Sequence, residues 1–153
     1  MTEASVALKL KTLLGKAILA HAEGSYPVEC CGFLLGNATG GHKSVIQIRP
    51  AGNLRADSPT TRYSIAPQEF LEAEREGRGL GLDIVGFYHS HPDHPAVPSE
   101  YDRQYAWAWY SYLIVPVSAG RAGTPRSWVL ADPARVFEEE PLEEEREPCP
   151  PRS

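Results

Sequence analysis

The chain has 153 residues, of which 42% are hydrophobic and 23% charged, proportions that fit one globular domain able to bury a core. Its net charge of −5 lies entirely in the last 16 residues: residues 1–137 carry 13 acidic and 13 basic side chains, and residues 138–153 carry seven Glu against two Arg. A balanced body with no basic excess argues against a nucleic-acid partner.

The N-terminus, MTEASVALKLK, has an early acid and no basic stretch leading into an apolar one, so it does not read as a signal sequence. Lys9, Lys11 and Lys16 interrupt the nearest apolar run, which leaves nothing to span a bilayer. VALKLK alternates as a short strand. TLLGKAILAHAEG then changes period, with Leu14, Ile18 and Ala22 on one helical face and Gly24 as its stop. CCGFLLG reads as a short buried strand, NATGG as a turn, and HKSVIQIRP as a second strand hairpinned to it. A polar loop, AGNLRADSPTT, leads to RYSIAP, a further strand candidate. PQEFLEAEREGRG is a helix opened by Pro67. LDIVGFYHS is strongly β-like and suits a central strand. SEYDRQYAWAWY reads as a helix, and SYLIVPVS and RSWVLADP as two closing strands. Strands outnumber helices and do not alternate regularly with them, which predicts an α+β (mixed α/β) fold: one mixed sheet flanked by helices. Residues 1–137 form the domain. Residues 138–153, rich in Glu and Pro, read as a disordered tail.

Three of the chain's five histidines fall within GFYHSHPDHPAVPSEYD. If the strand continues through His89 and His91, both imidazoles project from one face, their Cα atoms about 6.6 Å apart. Pro92 removes a ladder donor and ends the strand beside a loop. That loop, stiffened by prolines, delivers Ser99 and Asp102 to the next helix start. There the carboxylate can supply a third, oxygen ligand. Two imidazoles and one carboxylate leave a fourth tetrahedral position for water, the open form of a catalytic zinc site. Such a water needs a base. Glu23, Glu29 and Glu100 are candidates, and Glu29 is the best placed because it directly precedes the buried run CCGFLLG.

HSHP followed by SEYD gives H-x-H-x(7)-S-x-x-D, and with a glutamate before CCGFLLG the chain resembles the JAMM (MPN+) zinc metalloprotease family, specifically its compact bacterial members. The likeness runs over most of residues 6–131 and implies a cytidine-deaminase-like mixed sheet. It also implies zinc (Zn2+) held by His89, His91 and Asp102, Glu29 activating the water, and Ser99 steadying the oxyanion. The implied activity is cleavage of peptide or isopeptide bonds next to ubiquitin-like proteins. For bacterial members the substrate is a ubiquitin-like sulfur carrier left with a Gly-Gly end.

Other readings attach to the same residues. Ser99-x-x-Asp102 is also a helix capping box, a role compatible with metal ligation through one carboxylate oxygen. Glu29 can be a plain solvated loop acid. His94 falls in the variable x(7) and reads as a rim residue. His21 and His42 read as packing or surface residues. Cys30 and Cys31, adjacent in a strand, face opposite ways and read as buried fillers. With Cys149 they make an odd count that fits a reducing compartment better than a disulfide framework. Tyr101, Tyr105, Trp107, Trp109 and Tyr110 read as core and helix-packing aromatics. A partner-binding scaffold of the same fold is the alternative function. A nucleoside deaminase lacks its P-C-x-x-C pair here. The sequence thus predicts a cytoplasmic zinc hydrolase with a protein or peptide substrate, no nucleic-acid or membrane partner, and a homodimeric state.

Overall fold

The computed structural model describes residues 7–53, 64–132 and 134–146. The elements run β1 (Leu8–Lys11), α1 (Thr12–Ser25), β2 (Cys31–Thr39), β3 (His42–Ala51), α2 (Pro67–Leu80), β4 (Asp83–Pro92), α3 (Glu100–Tyr105), β5 (Ser111–Ser118), β6 (Arg121–Ala122), β7 (Arg126–Ala131), β8 (Val136–Glu140) and β9 (Leu142–Glu145). They form one mixed sheet in the order β8-β7-β5-β4-β2-β3-β1-β9, with β6 paired to β5. The predicted α+β architecture is thus observed.

Side chains alternate between two cores. Leu34 and Tyr88 belong to one, where Ile18 and Ala22 of α1 pack; Phe33 and Phe87 belong to the other, where Ala73 and Phe70 of α2 pack. Period-2 strands with apolar residues on both faces demand cover on both sides, and the two helices supply it. Pro67 opens α2 and Gly81 closes it at φ 72°, a left-handed position that costs glycine little. Gly32 lies opposite Tyr88, where an added Cβ would fall 2.3 Å from the ring. The missing side chain lets Tyr88 cross β2 and meet His21 Nδ1 at 2.8 Å.

Three expectations are corrected. The helix predicted over residues 99–110 stops at Tyr105. The Trp107 amide is taken by the Tyr112 hydroxyl at 2.8 Å, and Trp109 adopts φ 80°, which no helix accommodates. Ser64–Ala66 form no strand; Arg62, Tyr63 and most of the preceding polar loop lie outside the described residues. The tail expectation fails for residues 138–145. β8 pairs antiparallel with β7, and β9 pairs parallel with β1. Only Pro141 separates them, so this acidic segment joins the two ends of the sheet order. Phe137 packs into one core and Leu142 into the other, and the buried Glu140 accepts from Ser127 Oγ at 2.7 Å. Ladder hydrogen bonds to two otherwise bare edges order a stretch whose composition alone offers little burial. Residues 147–153, with Cys149, lie outside the described residues. Among the described residues no helix is long and apolar enough to cross a membrane.

Candidate metal centre

β4 is central, antiparallel to β2 on one side and parallel to β5 on the other, so its C-terminal half is buried on both faces. His89 lies opposite Cys31 of β2 and beside Ile114 of β5, while His91 pairs with Pro116. The ladder therefore fixes the backbone of both histidines, and the two-residue spacing aims their rings the same way. His89 Nε2 and His91 Nε2 lie 3.1 Å apart.

Asp102 arrives from α3. Its amide donates to Ser99 Oγ at 3.0 Å, and the Ser99 amide donates to Asp102 Oδ2 at 2.8 Å, which completes a capping box. The box does not use up the carboxylate. Oδ2 lies 3.1 Å from His91 Nε2 and Oδ1 3.3 Å from His89 Nε2. The carboxylate that caps α3 thus also faces both imidazoles. Glu29 comes from the loop before β2, and its carboxylate joins the two imidazoles in a group of donor atoms lying within 4.8 Å of one another. Glu29, His89, His91 and Asp102 are each at most 9% exposed.

The other candidate bases lie elsewhere. Glu23 accepts from the Ala122 amide at 2.8 Å, and Glu100 pairs with Arg103 on the exposed side of α3. His94 is exposed. Cys30 and Cys31 are buried free thiols, as the filler reading has it.

The donor set fits a tetrahedral divalent cation. In a tetrahedron with bonds of about 2.0–2.1 Å, neighbouring donors sit about 3.3–3.4 Å apart. The two Nε2 atoms lie 3.1 Å apart, and the two Asp102 oxygens meet them separately, Oδ2 at 3.1 Å from His91 and Oδ1 at 3.3 Å from His89, so each pair of donors lies near that spacing. Protonation supports the same conclusion. His91 Nδ1 donates to the Pro95 carbonyl at 2.8 Å, which leaves the Nε2 lone pair of the neutral ring facing a carboxylate. Such a buried cluster of lone pairs needs positive charge at its centre, from a proton or a metal ion.

The same charges and burial set the pKa directions in the metal-free cluster. Burial disfavours the charged form of His91, but the hydrogen bond and charge of Asp102 outweigh it, and its pKa is raised. Burial of His89 dominates and lowers its pKa. Asp102 resists its own burial and stays well below the usual carboxylate range, because the histidines and the Ser99 amide stabilise its charge. Burial pushes the Glu29 carboxyl up to about 8; His91 acts against this and Asp102 with it. A carboxyl poised near neutrality suits proton transfer.

Two cavities flank the centre. One, of 380 Å3, is lined by Glu29, His91 and Ser99 with the prolines of the 92–98 loop. The other, of 290 Å3, has Asp102 in its wall beside Phe70, Phe87, Tyr101, Tyr105 and Trp107. Tyr101, Tyr105 and Trp107 read from sequence as core and helix-packing aromatics, yet Tyr105 is 63% and Trp107 54% exposed. The early end of α3 leaves Trp107 outside the helix in the cavity lining, and no periodic signal marks that end. The Pro95 carbonyl was also missed, because a backbone acceptor leaves no trace in residue type.

Residues 14–131 match the family described as "Prokaryotic homologs of the JAB domain". The chain belongs to this family. It is 39% identical over 103 residues to a desampylase of Haloferax volcanii, covering 64% of this chain and 72% of that one. It is 32% identical over 124 residues to a desampylase of Pyrococcus furiosus, covering 80% and 81%. A solution structure of a Desulfitobacterium hafniense protein superposes with a TM-score of 0.80 at 32% identity, covering 92% of this chain and 94% of that one. The JAB-family resemblance drawn from HSHP and SEYD is therefore borne out at the level of the family and the fold.

Proposed function

We propose that the protein is a zinc-dependent metallo-isopeptidase. It hydrolyses the amide bond that follows the C-terminal Gly-Gly of a ubiquitin-like or sulfur-carrier protein. The observation that carries this reading is the convergence of His89, His91 and Asp102 within 3.1–3.3 Å, with Glu29 beside them. Family membership and the two relatives named desampylases support it.

His89, His91 and Asp102 would hold the metal, whose chemistry at this position is Lewis-acid polarisation of the amide carbonyl and activation of water. The remaining roles fall to the chain itself. Glu29 takes a proton from the attacking water and returns it to the leaving amine, a task its place beside both imidazoles allows. Ser99 accepts from the Asp102 amide, so its own hydroxyl proton is available to the oxyanion in the cavity it lines. Prolines share the cavity lining with Glu29, His91 and Ser99, and a stiff lining favours glycines, whose lack of side chains lets the backbone approach closely. The aromatic rim around Tyr105 and Trp107 offers the carrier's folded body an apolar contact.

The test is cleavage of a carrier protein bearing a C-terminal extension after Gly-Gly, followed by mass spectrometry. The zinc-loaded protein should release the extension, and His89→Ala should lose both zinc and cleavage. Release by zinc-free His89→Ala at the wild-type rate would remove the assignment.

A further inference from the structure

The residue between the two histidines is the part of the HSHP segment that neither metal ligation nor helix capping uses. Ser90 is fully buried. Its neighbours in the chain face the metal centre, so its own side chain leaves the opposite face of β4. There its hydroxyl accepts from the Cys30 amide at 2.9 Å, while its own amide donates to the Cys30 carbonyl at 3.1 Å. Ser90 therefore holds Cys30 on both sides of its Cα, its amide through the Ser90 side chain and its carbonyl through the Ser90 backbone.

The position of that grip is what gives it consequence. The β2–β4 register ends at the pair Cys31 and His89, so Cys30 is the first residue beyond it, and Glu29 is the next. The ladder that aligns His89 and His91 does not reach Glu29. Among the described residues, the Glu29 carbonyl is also reached by Asn53 Nδ2 at 3.4 Å, and the preceding Val28 amide donates to the Ser25 carbonyl at 2.8 Å. The Cys30 amide thereby keeps a partner where the β2–β4 pairing has stopped.

We propose that Ser90 is a positioning residue: it sets the Glu29 backbone against the strand that carries His89 and His91, and thereby sets the distance from the Glu29 carboxylate to the reacting centre. This rests on Glu29 being the base of the proposed hydrolysis. The ligand strand itself does not need the Ser90 hydroxyl, because β4 is paired along both edges through His89. Loss of the hydroxyl therefore affects proton transfer and leaves the metal in place.

The experiment compares Ser90→Ala and Ser90→Thr with wild type, loaded with zinc, on the extended carrier. It is paired with amide hydrogen exchange of Cys30 by NMR. Ser90→Ala should keep stoichiometric zinc and the wild-type KM while kcat falls about 10- to 100-fold, the usual cost of removing a supporting hydrogen bond around a metal site. Ser90→Thr, which keeps the hydroxyl, should regain most of the loss, and the Cys30 amide should exchange faster in the alanine variant alone. Should Ser90→Ala not fold, Ser90→Cys, with a poorer acceptor of similar size, carries the same expectations. An unchanged kcat, a kcat loss that tracks zinc loss, a threonine variant as slow as alanine, or a Cys30 amide that exchanges no faster would each overturn the proposal. Wild-type protein that cleaves no carrier would instead sink the hydrolase reading, and the exchange result would still decide whether Ser90 holds Cys30.

Discussion

Replacing Glu29 by Gln should slow turnover sharply and, in metal-free protein, raise stability in a pH-dependent way. Burial raises the Glu29 pKa from 4.5 to about 8. Between those values the unfolded chain releases a proton that the fold retains. Stability attributable to this carboxyl is therefore intact below about pH 4.5 and is lost progressively as pH rises towards 8. At 1.36 kcal/mol per pKa unit, the loss is on the order of 3 kcal/mol at pH 7 and under about 1 kcal/mol at pH 5. Glutamine has the same shape and no charge to desolvate, so it escapes the penalty. Urea denaturation of the chelated wild type and Glu29→Gln at pH 5, 7 and 8 measures the difference. The variant should gain little at pH 5 and most of the calculated amount at pH 8. Glu29→Gln should still bind zinc, with kcat reduced by about 100-fold or more, the range for loss of a general base. Parallel unfolding curves at all three pH values, or a variant less stable at pH 8, would refute the reasoning. The stability gain and the activity loss come from one cause: a carboxyl kept in a buried site that disfavours its charge.

Further outcomes follow from the same geometry. Ser99→Ala removes a hydroxyl that both caps α3 and lines the cleft, so kcat should drop about 100-fold while unfolding free energy falls by only about 1 kcal/mol, read by steady-state kinetics and denaturation. Trp107→Ala should raise KM for a folded carrier by roughly ten-fold, equal to about 1.4 kcal/mol of contact, and leave KM for a short Gly-Gly peptide near its original value. Deleting residues 136–153 bares the edges of β1 and β7 and should yield a protein that self-associates on size exclusion, whereas deleting 147–153 should not. Raising pH from 9 to 11 should destabilise the fold, because burial holds the Cys30 and Cys31 thiols up at about 11 and about 12 while the unfolded chain ionises near 9; a Cys30→Ala, Cys31→Ala variant should lose part of that slope.

The sequence carried the centre of the molecule better than its margins. His89 and His91 share a face because strand side chains alternate, and that follows from spacing alone. The Ser99–Asp102 box was legible for the same local reason: its hydrogen bonds span three residues. What sequence did not display were contacts made by backbone atoms across long separations. The Glu-rich segment 138–145 looked too polar to order, yet its strands rest on ladder bonds to β7 and β1, and their apolar anchors are few, Phe137 and Leu142. The end of α3 depends on a Tyr112 hydroxyl meeting the Trp107 amide, which no helical period announces. Ser90 looked like a spacer between ligands, and only its distance to the Cys30 amide gives it a partner.

The central claim, that three side chains hold one catalytic metal ion beside Glu29, is tested most directly by counting zinc while following carrier cleavage. The account predicts one zinc per chain, complete loss of cleavage when a chelator removes it, and return of both on adding one equivalent. Full cleavage by metal-stripped protein, or one zinc per chain retained by Asp102→Ala and His91→Ala alike, would contradict it.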